Sequence, residues 1–100
     1  TPIIDFYRRM YKVVIINNTR KTQRLKIMSG DNRWEQDIAP NASYDFQFRM
    51  NFWGTTHFWC DWITNNMKYF PLFNEGAPRD DNVFMLEEDG SVLLNGKGFK

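Results

Sequence analysis

The amino-acid sequence predicts an all-β fold, an antiparallel sandwich of two sheets with about eight short strands, immunoglobulin-like or transthyretin-like in general architecture. Three observations carry this expectation. Residues 44–49 alternate with period two, Tyr44, Phe46 and Phe48 facing one way and Asp45, Gln47 and Arg49 the other. Turn-forming clusters of Gly, Pro, Asn and Asp recur at short intervals between apolar runs. No stretch has helical periodicity. A small closed barrel is the alternative architecture.

The chain has 100 residues, of which 42% are hydrophobic and 17% aromatic, enough side-chain area for one packed core. One domain over residues 1–100 is therefore expected, with residues 1–10 as a flexible N-terminal segment. Residues 11–17 are β-branched and almost continuously apolar (Val13, Val14, Ile15, Ile16), the pattern of a central strand covered on both faces. Polar turn material follows, and residues 23–29 set Leu25 and Ile27 against Lys26 and Met28, so these two runs are expected to pair as a hairpin. After the turn cluster at 29–33, residues 34–38 form a short strand that Pro40-Asn41 ends.

Gly54 permits a tight reversal at 51–54, from which a strand leaves with Phe58, Cys60 and Trp62 inward and His57, Trp59 and Asp61 outward. Trp59 is then partly exposed. Asn65-Asn66 marks the next reversal, and in residues 67–73 Pro71 demands either an edge strand or a bulge. A long charged loop fills residues 74–82. Residues 83–88 and 91–94 flank Asp89-Gly90, which suits a two-residue type I′ hairpin.

Composition excludes several function classes. Lys plus Arg number 13 against 12 Asp plus Glu, so no charge excess draws the chain to nucleic acid or an acidic membrane surface. No apolar run nears the ~20 residues that cross a bilayer, and no charged-then-apolar leader opens the chain; a soluble mature or trimmed segment is expected. A single cysteine rules out an intrachain disulfide and a multi-cysteine metal site. His57 and Cys60 invite a catalytic dyad, but three residues apart on one strand they point to opposite faces, which makes Cys60 a core thiol and His57 a surface side chain. Asp80-Asp81 and Glu87-Glu88-Asp89 lack the ligand spacing of a calcium loop and read as solvated turn charges. Arg8, Arg9, Lys12, Arg20, Lys21 and Arg24 could gather into a basic patch on the first hairpin, the ground for an alternative reading as a nucleic-acid-binding barrel. Two glycosylation sequons occur, at Asn17 and Asn41.

Beyond these features the sequence resembles the plant self-incompatibility S1 family, the S-protein homologues. The resemblance rests on Val13-Val14-Ile15-Ile16-Asn17-Asn18, Leu25-Lys26-Ile27, Tyr44-Asp45-Phe46-Gln47-Phe48, Asn51-Phe52-Trp53-Gly54-Thr55-Thr56-His57-Phe58-Trp59-Cys60 and Glu87-Glu88-Asp89-Gly90, in that order along nearly the whole chain. It implies a small secreted plant β-sandwich acting as an extracellular ligand in cell-to-cell signalling, with no enzymatic activity; the residues themselves offer no phosphate cradle or metal constellation, so no cofactor and no metal are expected. The family typically carries four cysteines in two disulfides. Here Cys60 alone is kept; Met28-Ser29 and Asn82-Val83-Phe84 stand where the pattern has His-Cys and Cys-x-Trp. Each lost bridge typically removes ~2 to 4 kcal/mol, so the aromatic core must hold the fold.

Successive antiparallel strands place their connections alternately at opposite ends. Loops 18–22, 39–42, 63–66 and 89–90 then share a first end, which holds both sequons, and loops 30–33, 50–54 and 74–82 share a second. The second end carries the longest loop and mixed charge, so Asp31, Asn32, Arg33, Glu75, Arg79, Asp80 and Asp81 are the expected partner-binding residues. The expected partner is a cell-surface receptor protein, met by a monomer that binds no nucleic acid and inserts in no membrane.

Overall fold

The computed structural model describes residues 10–30, 32–49, 57–74 and 81–100, with 74 and 81 described through their backbone. Among the described residues nine strands follow in order: β1 (Met10–Asn18), β2 (Gln23–Ser29), β3 (Arg33–Ile38), β4 (Ser43–Arg49), β5 (His57–Trp62), β6 (Lys68–Asn74), β7 (Asp81–Glu87), β8 (Val92–Leu94) and β9 (Lys97–Gly98). A 3-10 turn, Ile63–Asn65, links β5 to β6. One sheet has the order β4-β1-β7-β8-β9 and the other β3-β2-β5-β6. The expected all-β sandwich is what forms, and among the described residues no helix is long and apolar enough to cross a membrane.

The period-two faces meet between the sheets. Val13 and Ile15 of β1, Leu25 and Ile27 of β2, Cys60 and Trp62 of β5, Phe70 and Leu72 of β6, and Phe84 and Leu86 of β7 are buried together. Tyr44, Phe46, Phe48 and Phe58 pack against this core from its rim, half-buried. Trp34 closes the rim edge-on to Phe46, with ring centroids 5.4 Å apart, and donates from Nε1 to the Tyr44 hydroxyl at 3.0 Å. Such contacts bring attraction beyond the buried area and also satisfy the indole N–H.

Several expectations are corrected. The first two runs do not form a hairpin: β1 pairs with β4 and β7, and β2 with β3 and β5, so both edges of each strand are taken and residues 19–22 turn a corner between sheets. β1 and β7 run parallel, Lys12 opposite Asp81 and Asn18 opposite Glu87, whereas the other strand pairs of the described residues are antiparallel. Central β1 is fully covered on one face only. Val14 and Ile16 lie on the outer face, where Val83, Met85 and Leu93 flank them in register and leave each half-buried.

Pro71 behaves as its chemistry requires. β6 is an edge strand, and its register against β5 slips by one residue at Phe58/Trp59, opposite Pro71. That slip lets both Leu72 and Phe73 be buried. The Asp89-Gly90 hairpin is not the expected two-residue type I′ turn. Glu87 N–H donates to Ser91 O at 2.9 Å, and Gly90 alone takes positive φ, 89°, in a three-residue connection. The cause is Asp89, whose carboxylate accepts from Ser91 N–H (2.9 Å) and Ser91 Oγ (2.6 Å). The type I′ pattern appears instead at Asn95-Gly96, with φ of 51° and 85°, and creates β9, a strand the sequence reading did not assign.

Cys60 is fully buried, and desolvation, reinforced by neighbouring Asp61, pushes its thiol far above the usual range. Since the thiolate is the reactive form, a thiol reagent should leave the native protein unlabelled and label it stoichiometrically once denaturant is added. The raised folded-state value also fixes a sign: stability should fall as pH rises beyond the ordinary thiol range, because the unfolded chain ionises first. Rapid native labelling would place Cys60 on the wrong face of β5.

Candidate functional site

The first end of the sandwich is built around Asn17. It is the eighth residue of β1, fully buried, and all four hydrogen-bonding positions of its amide are used. Nδ2 donates to Lys21 O and to Ile38 O, each at 2.8 Å, while Oδ1 accepts from Thr19 N–H at 2.9 Å and Thr19 Oγ1 at 2.6 Å. The backbone joins in: Asn41 N–H donates to Asn17 O at 2.8 Å, and Asn17 N–H to Ala42 O at 2.9 Å. One side chain thus ties the end of β1 to the corner before β2 and to the end of β3. The network continues outward, Gln23 Nε2 donating to Thr19 Oγ1 at 2.9 Å and Trp62 Nε1 to Gln23 Oε1 at 2.8 Å, with Thr64 Oγ1 also on Gln23 Oε1. Buried polar groups linked in this way rigidify the region they join.

Beside the network lies an open cleft of about 170 Å³ lined by Gln23, Trp62, Asn65 and the hairpin residues Glu87, Glu88 and Asp89. Its carboxylates are occupied with neighbouring loops. Glu87 accepts from Asn18 Nδ2 at 2.8 Å and Glu88 from Arg20 N–H at 3.3 Å. The Ser91 hydroxyl and N–H hold the Asp89 carboxyl below the usual carboxylate range. Asn65 Nδ2 and Lys68 Nζ donate to Gly90 O at 3.1 and 2.8 Å. Among the described residues no group of three or more His, Cys, Asp or Glu could hold a metal ion.

These contacts bring loops 18–22, 39–42, 63–66 and 88–91 to one end, as the alternation of strands requires. Of the residues expected to bind a partner, Asn32 and Arg33 are exposed at the other end, where β2 turns into β3 and Ser29 N–H donates to Asn32 O at 2.7 Å. Asp81 opens β7 at that same end. Asp31, Glu75, Arg79 and Asp80 lie outside the described residues, as do the reversal at 51–54, most of loop 74–82 and nearly all of the N-terminal segment.

The two sequons part company: both amide hydrogens of Asn17 are bonded and the residue is fully buried, whereas Asn41 is exposed. Lys12 and Arg24 of the basic set do not converge either. Lys12 lies on the outer face of one sheet, 3.5 Å from Asp45, whereas Arg24 lies on the outer face of the other and grips Asp37 at 2.7 and 3.0 Å. Each of these two cations has an acidic neighbour, while Arg20 and Lys21 are exposed on the corner between β1 and β2. Arg8 and Arg9 lie outside the described residues.

His57 is exposed and Cys60 buried on opposite faces of β5, so they form no dyad. The outer face of the β3-β2-β5-β6 sheet carries Met28, Trp59 and Pro71 in one cross-strand row, half-buried, with exposed Tyr69 diagonal to Trp59. Outward-pointing Trp59 was legible in the alternation of its strand; Tyr69 joins it through the register with β6, which only pairing reveals.

The two sheets and their connecting loops define a small all-β sandwich. The family model described as plant self-incompatibility protein S1 matches residues 12–98, and the chain belongs to that family. Neither the comparison with curated proteins nor that with solved structures returns a match. Proteins of this family are secreted in general, and it is not a known enzyme family. Of the positions where the resemblance implies cysteines, Ser29 pairs with Phe58, and Asn82 is buried on β7 with Nδ2 donating to Lys12 O at 3.3 Å. A polar side chain anchored to backbone thus occupies the interior there.

Proposed function

We propose that this protein is a secreted extracellular ligand in plant cell-to-cell signalling of the self-incompatibility kind, acting by recognition and without catalysis on a cell-surface receptor protein. The family match over residues 12–98 carries this reading. The receptor is met by the second end, through Asp31, Asn32, Arg33, Glu75, Arg79, Asp80 and Asp81. Support comes from the opposite end, where Glu87, Glu88 and the amides of Asn17 and Asn65 hold loops together, whereas Asn32 and Arg33 stand exposed.

The test is saturable binding of labelled protein to intact plant cells. Changing Asp31, Arg33, Arg79, Asp80 and Asp81 together to Ala should weaken binding about tenfold or more while leaving the unfolding midpoint nearly unchanged. Equal binding by this variant would place the receptor contact elsewhere.

A further inference from the structure

The sequence treats Asn17-Asn18-Thr19 and Asn41-Ala42-Ser43 alike, and the fold does not. Attaching a sugar to Asn17 Nδ2 would remove one of two hydrogens that both donate at 2.8 Å, and would force a bulky polar group into a site with 0% exposure. A chain modified there could not close its first end. Thr19, the hydroxyl residue of that sequon, is likewise buried and bonded to Asn17. Asn41 presents the opposite case. It lies in the short connection between β3 and β4 with φ of 62°, exposed, and Ser43 of the same sequon is exposed at the start of β4. Its contact with the network is made by its backbone N–H, and among the described residues its side-chain amide makes no hydrogen bond.

We infer that Asn41 carries the single N-linked glycan of this protein and that Asn17 stays unmodified, an inference that rests on the reading of the chain as secreted. In the transfer, Asn41 Nδ2 bonds to the anomeric carbon of an oligosaccharide carried on a lipid diphosphate; the anomeric C–O bond breaks, the lipid diphosphate leaves with the electron pair, and Nδ2 releases one proton. The glycan then stands at the first end, above the corner that Asn17 locks, and leaves the second end open to a partner.

The experiment expresses the full chain behind a secretion leader in plant cells, so that entry into the pathway does not depend on the native route. The secreted protein should lose mass on treatment with an N-glycosidase, and peptide mass spectrometry should find the resulting Asn-to-Asp conversion at position 41 and not at 17. Asn41→Gln and, separately, Ser43→Ala should each abolish the mass shift while the protein is still exported with an unchanged circular dichroism spectrum. Secreted protein without glycan, or with one at position 17, overturns the inference and leaves the secretion reading standing. That reading fails by a different observation, the absence of the native protein from the extracellular fluid of its own tissue.

Discussion

Asn17→Ala should destabilise the protein by about 3–5 kcal/mol, a large share of the ~5–15 kcal/mol that holds a small domain folded. The substitution strips partners from Lys21 O and Ile38 O and from the N–H and hydroxyl of Thr19, all supplied by one amide. A buried group left without its partner costs about 1–3 kcal/mol; relaxation of the corner and entry of water keep the total below the sum. Asn17→Asp keeps the shape and the acceptor but replaces the donor, so two backbone carbonyls face a buried carboxylate. Its damage should therefore exceed that of alanine at neutral pH and lessen as pH falls into the carboxylate range, where the protonated acid donates again. The control is the adjacent residue: Asn18→Ala removes one exposed contact to Glu87 and should cost no more than about 1 kcal/mol. Urea unfolding followed by circular dichroism separates the pair, and equal midpoint shifts would show that the network does not hold the first end.

That network was hidden in the sequence for a specific reason. Asn-x-Thr is both a glycosylation sequon and the spacing at which an asparagine side chain accepts from the backbone two residues on, the Asx turn that Thr19 N–H closes. The letters do not separate the two; the contacts to Lys21 O and Ile38 O do. Local signals read more directly. The faces of β4 and β5, the edge position and bulge of β6 and the exposure of Trp59 all follow from alternation and from proline's missing donor. Pairing partners were less legible, because β1 meets β7 across almost seventy intervening residues and nothing in either run encodes that register. Asp89-Gly90 and Asn95-Gly96 carry the same type I′ signal, and the letters alone do not choose between them. Asp89 spends its carboxylate on Ser91, which selects the longer connection. The grouping of loops 18–22, 39–42, 63–66 and 88–91 at one end follows from counting strand reversals alone.

Trp62→Ala should cost about 3–5 kcal/mol, the range for emptying a buried indole site. Trp62 is 2% exposed, lies opposite Leu25 and Lys68 in register, and anchors the outer end of the polar network through Nε1. Two losses combine: the core gains a cavity between the sheets, and Gln23 gives up one of its donors. Trp62→Phe separates them, since the smaller ring fills most of the space while Gln23 Oε1 still accepts from Thr64; a cost of about 1–2 kcal/mol is expected. Trp59, three residues earlier and on the outer face, supplies the contrast. Its ring is half-buried against neighbours on an open sheet surface, and Trp59→Ala should cost no more than about 1.5 kcal/mol. The difference measures the phase of β5 directly, because a one-residue slip would exchange the two environments. If the two alanine variants unfold at the same urea concentration, the inward set Phe58, Cys60 and Trp62 is misassigned, and with it the face on which the sheets meet.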